Sequence, residues 1–258
     1  RHGYDRGTAE RGRAAVSDYT AVRLRVPLRS RQPLPDTGAV LWQPVDDPGH
    51  TPLLVLGHGA GSDLTNPILC AVGRGLALQG IPVLTFNFAY AEAGLKRPDP
   101  PARLLAVFQD AIAAATERLG TRRPLVLGGR SMGGRMATLL AAEGRRCDGL
   151  LLLGYPLHQA GRPERLRTEH WPLLRAPILF VTGDRDRLCD LGLLAAERAA
   201  RLAAPSRVHI IAGADHGFAI RKSDPRAMAD VFADVVDVSA GWLRQAVGSA
   251  PTPAGLRG

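Results

Sequence analysis

Residues 125–134 read LVLGGRSMGG, and a helix-like segment follows over Arg135–Ala142. Leu125–Leu127 is a short apolar run bounded by turn residues, as expected of a strand covered on both faces. The glycines after it let the chain reverse at once from strand into helix. At the tip of such a turn Ser131 takes a strained backbone conformation, with its hydroxyl lifted above the strand ends. Side chains two positions before and two after would collide there, so Gly129 and Gly133 are required, while Gly128 and Gly134 widen the tolerance. The rival reading is a glycine-rich turn that holds an anion at a helix N-terminus. The lysine of a phosphate loop is absent, which disfavours a nucleotide.

Working outward, the same alternation recurs. Upstream, Leu53–Leu56 is an apolar strand running into His58-Gly59-Ala60-Gly61, Pro67–Gln79 reads as a helix, Ile81–Phe86 as a strand and Ala102–Leu119 as a long helix closed by Gly120. Downstream, Leu150–Leu153 and Ile178–Val181 read as strands, and the second ends in Gly183-Asp184-Arg185-Asp186. Leu191–Leu202 reads as a helix with Asp190 as N-cap, Val208–Ile211 as the last strand and Arg226–Val247 as the last helix. Before all of these, Val22–Val26 alternates apolar and basic residues, and Ala39–Trp42 follows a turn-like Pro35–Gly38. Strands apolar on both faces that alternate with helices define the α/β class, with a mostly parallel sheet covered by helices on both sides. Ligands bind beyond the carboxyl ends of such strands, where the polar and glycine-rich clusters fall.

Those clusters supply a candidate chemistry. A serine hydroxyl is a weak nucleophile until a base takes its proton. His216, in Ala214-Asp215-His216-Gly217 just past the last strand, is the best-placed imidazole for that work. His158 and His170 read as surface-loop residues. An acid that orients His216 is available twice, as Asp184 and Asp186. Two backbone N–H groups are needed to hold a developing oxyanion. Met132 would give one and Ala60 the other, with Gly61 as the alternative. His58 reads as ordering that loop and is kept, with Arg130, as a candidate substrate contact. Arg130 and Arg185 either attract an anionic ester or carboxylate or point to solvent.

Composition bounds the rest. The 258 residues suit one α/β domain over 21–248, with a basic arm over 1–20 and a tail over 249–258. The net charge is +9, of which residues 1–31 hold eight Arg against three acids. All but two of the basic residues are Arg, which reads as coding bias, so nucleic acid is not an expected partner. No apolar run is long enough to span a membrane and no secretory leader is visible. Cys70, Cys147 and Cys189 form neither a zinc pattern nor a disulfide framework. They read as reduced, mostly buried thiols of a cytoplasmic protein.

At these residues the chain resembles the α/β-hydrolase superfamily, nearest its dienelactone-hydrolase-like group. More narrowly it is similar to the family of testis-expressed protein 30 and the third NSL chromatin-complex subunit. The stretches that carry the resemblance are HGAGSD (58–63), NFAY (87–90), GGRSMGGRMA (128–137), GYPLH (154–158), PERLRTEH (163–170), FVTGDRD (180–186) and ADHGF (214–218). Dienelactone hydrolase is similar in fold but has Cys where this chain has Ser131. The resemblance implies an α/β-hydrolase fold, with the nucleophile, acid and base in the order Ser131, Asp186, His216 along the chain. It favours Asp186 over Asp184, because the acid of this fold stands three residues after the glycine. The insert between Leu157 and Arg175 is too short for a cap domain, which implies a shallow pocket open to small or flexible esters. The expected activity is hydrolysis of a small-molecule ester or related acyl bond, without metal or cofactor. The alternative is a non-catalytic binding or scaffold module on the same fold.

Overall fold

The computed structural model describes residues 18–29 and 34–247. The basic arm, up to residue 17, and the tail from residue 249 lie outside the described residues. Tyr19 and Thr20, expected in the arm, instead open the first strand.

That strand, β1 (Tyr19–Pro27), pairs antiparallel with β2 (Asp36–Pro44). Val22, Leu24 and Val26 face the core while Arg23 and Arg25 face water, the alternation of a half-buried edge strand. Pro35–Gly38 is not a turn: Asp36, Thr37 and Gly38 pair with Pro27, Val26 and Arg25. Pairing with a distant strand overrides the local turn preference of these residues. The α/β alternation then runs β3 (Leu53–Gly57), α1 (Pro67–Leu78), β4 (Val83–Phe86), a single turn α2 (Ala89–Glu92), α3 (Pro101–Leu119), β5 (Leu125–Arg130), α4 (Met132–Ala142) and β6 (Gly149–Leu153). After a small hairpin of β7 (His158–Gln159) and β8 (Arg162–Leu166) and a 3₁₀ turn at Trp171–Leu173, it resumes with β9 (Ile178–Gly183), α5 (Leu191–Arg201), β10 (Ser206–Ile211) and α6 (Met228–Trp242). The expected last helix starts two residues late, and its final turn, Leu243–Val247, is π-helical. Asp190 caps α5 as expected, its carboxylate accepting from Leu193 N–H at 2.8 Å.

Eight strands form one sheet in the order β1-β2-β4-β3-β5-β6-β9-β10, parallel from β4 onward. The unbroken apolar runs are explained by this placement. Leu53 and Val55 pack on one face with α3 and α4, while Leu54 and Leu56 pack on the other with α1 and α6. Leu150 to Leu153 and Ile178 to Val181 divide between the faces in the same way. Each fully buried aliphatic side chain contributes roughly 1.5–3 kcal/mol of transfer free energy, so the central strands are apolar at nearly every position, with Thr85 and Thr182 as buried polar exceptions.

The short insert folds as the β7–β8 hairpin and the 3₁₀ turn, anchored by Trp171, which is buried against Tyr155 and Phe180. No cap domain is present among the described residues. None of the described helices is long and apolar enough to cross a membrane.

Candidate active site

Strand β5 delivers Ser131 at the carboxyl end of the sheet with φ 49° and ψ −111°, a conformation that costs a non-glycine residue about 1–3 kcal/mol. The surroundings hold it there: Ser131 N–H donates to Leu153 O at 2.9 Å, and Ser131 O accepts from Arg135 N–H at 3.1 Å. The glycines have a specific reason. A Cβ at either Gly129 or Gly133 would overlap the carbonyl oxygen of Gly57, because α4 begins directly against the backbone of β3. Gly128 and Gly134 do more than widen tolerance. A Cβ at Gly128 would overlap Leu151 O, and one at Gly134 would lie 2.9 Å from Gly129 O. Helix α4 starts at Met132, three residues earlier than expected, because its glycine-rich first turn has weak helical propensity and is fixed by packing.

The loops after β9 and β10 bring two further side chains to Ser131. His216 Nε2 lies 2.9 Å from Ser131 Oγ, and His216 Nδ1 lies 2.8 Å from Asp186 Oδ2. The Asp186 side chain is fully buried, and its second oxygen accepts from Leu188 N–H at 2.8 Å. An ionised carboxylate only accepts, so the His216 proton sits on Nδ1 and Nε2 is free to accept from the serine hydroxyl. Asp184 goes elsewhere: it is exposed and accepts from Gly213 N–H at 2.8 Å, tying the two loops together. The His216 loop is braced by Asp215, whose Oδ1 accepts from Gly217 and Ala219 N–H at 2.8 and 3.0 Å. It is anchored by Phe218, fully buried at a positive φ of 64°. Gly154, just past β6, takes a φ of 60°, and a Cβ there would press on His216 O at 3.2 Å.

On the other side of Ser131 lies the loop after β3. Met132, the first residue of α4, has an N–H with no acceptor inside the helix. The orientation of Ala60 N–H is set through the carbonyl of the same peptide. Gly59 O accepts from the His58 ring at 2.8 Å, from Tyr90 Oη at 3.3 Å and from Ser62 N–H at 3.3 Å. A trans peptide points its N–H away from its C=O, so three donors on Gly59 O fix the direction of Ala60 N–H. His58 is therefore not a substrate contact. It is fully buried, its Nδ1 donates to Gly59 O, and its Nε2 accepts from Phe88 N–H at 3.0 Å. Burial pulls its pKa down to about 4, consistent with a neutral ring. Tyr90 closes the NFAY stretch, which marks the segment but does not show that this hydroxyl reaches Gly59 O.

Arg130 is half-buried beside this machinery. Burial lowers its pKa, and the nearby charges of Asp186 and Asp215 oppose that shift. With Arg185, Arg187, Asp215, His216, Gly217 and Ala219 it lines an open cavity of about 440 Å³. A larger cavity of about 600 Å³, around Arg145, Asp148 and Arg175, opens at the opposite, amino-terminal end of the strands and is remote from Ser131. His158 is not a surface-loop residue, whereas His170 does lie in a turn. His158 is buried and accepts from Asp190 N–H at 3.2 Å, and His170 is half-buried, 2.8 Å from Thr138 Oγ, with its pKa drawn down to about 4 by burial.

A sequence model of the family described as alpha/beta hydrolase domain matches residues 50–244, which include Ser131, Asp186 and His216. Solved structures share the architecture at low identity. Dienelactone hydrolase from Anabaena variabilis matches with a TM-score of 0.66 and 20% identity, over 89% of this chain and 99% of that one. XC6422 from Xanthomonas campestris, described as an α/β serine hydrolase without a lid, gives 0.65 and 18% over 90% and 97% of the two chains. Est1E from Butyrivibrio proteoclasticus gives 0.64 and 16% over 86% and 99%.

Proposed function

We propose that this chain, which belongs to the alpha/beta hydrolase domain family, is a serine hydrolase that cleaves a carboxylic ester or related acyl bond through an acyl-enzyme. One observation carries the reading: an unbroken hydrogen-bonded relay from Asp186 through His216 to Ser131, at 2.8 and 2.9 Å. His216 Nε2 takes the Oγ proton as Oγ attacks the acyl carbon. The carbonyl oxygen becomes an oxyanion held by the N–H groups of Met132 and Ala60. Asp186 stabilises the imidazolium, which returns its proton to the leaving oxygen as the bond to it breaks. Water then enters on the same base, repeats the attack and releases the acid. The strain at Ser131 supports this reading, since a purely structural turn has no need of a serine at positive φ. Three thiols without disulfide partners support a cytoplasmic setting. The motifs HGAGSD, GGRSMGGRMA and PERLRTEH support a place beside testis-expressed protein 30 and the third NSL-complex subunit.

A fluorophosphonate probe tests the proposal. Stoichiometric labelling of Ser131 is expected, with loss of both labelling and p-nitrophenyl acetate turnover in a folded Ser131→Ala variant. An unlabelled wild-type chain, or a Ser131→Ala variant as active as wild type, would reject the enzyme in favour of a binding module.

A further inference from the structure

The acyl-transfer cycle above makes no use of the arginines beside His216. Arg130 precedes the nucleophile, and Arg185 and Arg187 flank Asp186. All three line the cavity next to His216, and none makes an ion pair among the described residues. The carboxylates nearby are already engaged. Asp186 serves His216 and Leu188 N–H, Asp184 serves Gly213 N–H, and Asp215 serves the N–H groups of Gly217 and Ala219. Of these, only Asp215 lines the cavity, so three guanidinium groups face one carboxylate. Arg185 spends one nitrogen on Gly213 O at 3.0 Å.

Arg130 is the best placed of the three. A Cβ built on Gly59 would stand 2.7 Å from Arg130 Nη1 and 3.6 Å from the Ser131 Cβ, and one built on Gly217 would stand 3.6 Å from Arg130 Nη2. The guanidinium thus reaches from the Ala60 loop to the His216 loop, within a side chain's breadth of the nucleophile. A half-buried cation has lost part of its hydration, and an anion that pairs with it restores the balance. The side of the site also follows. His216 must return its proton to the leaving oxygen, so the leaving group lies on the His216 flank, where this cavity is.

We infer that the preferred substrates are esters whose alcohol half carries a carboxylate, which Arg130 binds with Arg185 and Arg187 at the cavity mouth. This rests on the serine-hydrolase reading and narrows it to a substrate class. For an acetoxybenzoate, Ser131 Oγ bonds to the acetyl carbon and the bond from that carbon to the aryl oxygen breaks. The proton held by His216 passes to the departing phenolate, leaving hydroxybenzoate against the arginines.

The test compares 4-acetoxybenzoate with its neutral methyl ester, methyl 4-acetoxybenzoate. The neutral compound has the better leaving group, so intrinsic reactivity runs against the expected preference. We expect kcat/KM at least tenfold higher for the anion, with the ratio falling toward one in Arg130→Gln and in high salt, which screens the charges. A second pair places the charge on the acyl half: monomethyl glutarate against methyl 5-methylhexanoate, expected to show no preference for the anion. A ratio at or below one for the acetoxybenzoates would overturn the inference while Ser131 still labels with fluorophosphonate, leaving the hydrolase reading intact. So would an unchanged ratio in Arg130→Gln, or a preference found only in the acyl-side pair. Failure of Ser131 to label at all would remove the hydrolase reading, and this inference with it.

Discussion

Replacing His58 with leucine separates a loop-ordering histidine from a bystander. The side chain is fully buried, and both ring nitrogens are used: one donates to Gly59 O at 2.8 Å and the other accepts from Phe88 N–H at 3.0 Å. Leucine fills similar volume and removes both bonds. The Phe88 N–H is then buried without an acceptor, which costs about 1–3 kcal/mol of stability. The effect on turnover is bounded from above by the loss of a whole oxyanion donor, about 10²–10³-fold in kcat. Tyr90 Oη and Ser62 N–H, each at 3.3 Å from Gly59 O, still hold the peptide. A partial loss of about 10–100-fold in kcat is therefore expected. KM should change little, because the Ala60 N–H is aimed at charge that develops only after attack. Tyr90→Phe removes one of the longer bonds and should lose less. The assay is steady-state hydrolysis of p-nitrophenyl acetate beside urea unfolding of each variant. A folded His58→Leu protein with kcat within about twofold of wild type would refute the claim that His58 sets the donor.

Other consequences are independent of that one. The His58 pKa lies at about 4 in the folded chain against an ordinary 6.5, so between those values the unfolded chain binds a proton that the folded chain does not. Stability therefore rises with pH through this window and its contribution is complete above 6.5. At roughly 1.4 kcal/mol per pH unit the gap amounts to about 3 kcal/mol. Half-buried His170, lowered in the same direction, adds to the slope. Urea midpoints measured from pH 4 to 7 should show the rise, and a profile as flat for wild type as for His58→Leu would contradict it. Asp186→Asn should lower kcat by about 10⁴-fold by disturbing the His216 tautomer, whereas Asp184→Asn, whose carboxylate accepts from Gly213 N–H and makes no bond to His216, should cost less than about tenfold. Comparable losses in the two variants would overturn the choice of acid. Gly133→Ala drives a Cβ into the Gly57 carbonyl, which is backbone and cannot rotate away. A loss above about 3 kcal/mol, or no folded protein, is expected, and a wild-type unfolding midpoint would show that α4 does not abut β3 so closely.

What the sequence determined by itself is whatever a short window contains. Leu53–Leu56, Leu150–Leu153 and Ile178–Val181 declare central strands, because a strand buried on both faces is apolar at nearly every position. The turn at Ser131 is legible because its glycines and its serine are neighbours in the chain. Tertiary structure alone decided the rest. Asp36–Gly38 became strand through pairing with residues 25–27, and Met132 joined a helix because the Gly57 backbone packs against its glycines. The apolar–polar pattern around His158 resembles a loop, yet folding buries it under the start of α5. Spacing leaves Asp184 and Asp186 both available, and the direction of each carboxylate after β9 makes the choice. The same holds for His58, whose motif marks the loop but not which carbonyl its ring holds. The relay that matters most joins residues 30 and 85 positions apart. Contacts at such separations depend on the order of strands in the sheet, which no local periodicity encodes.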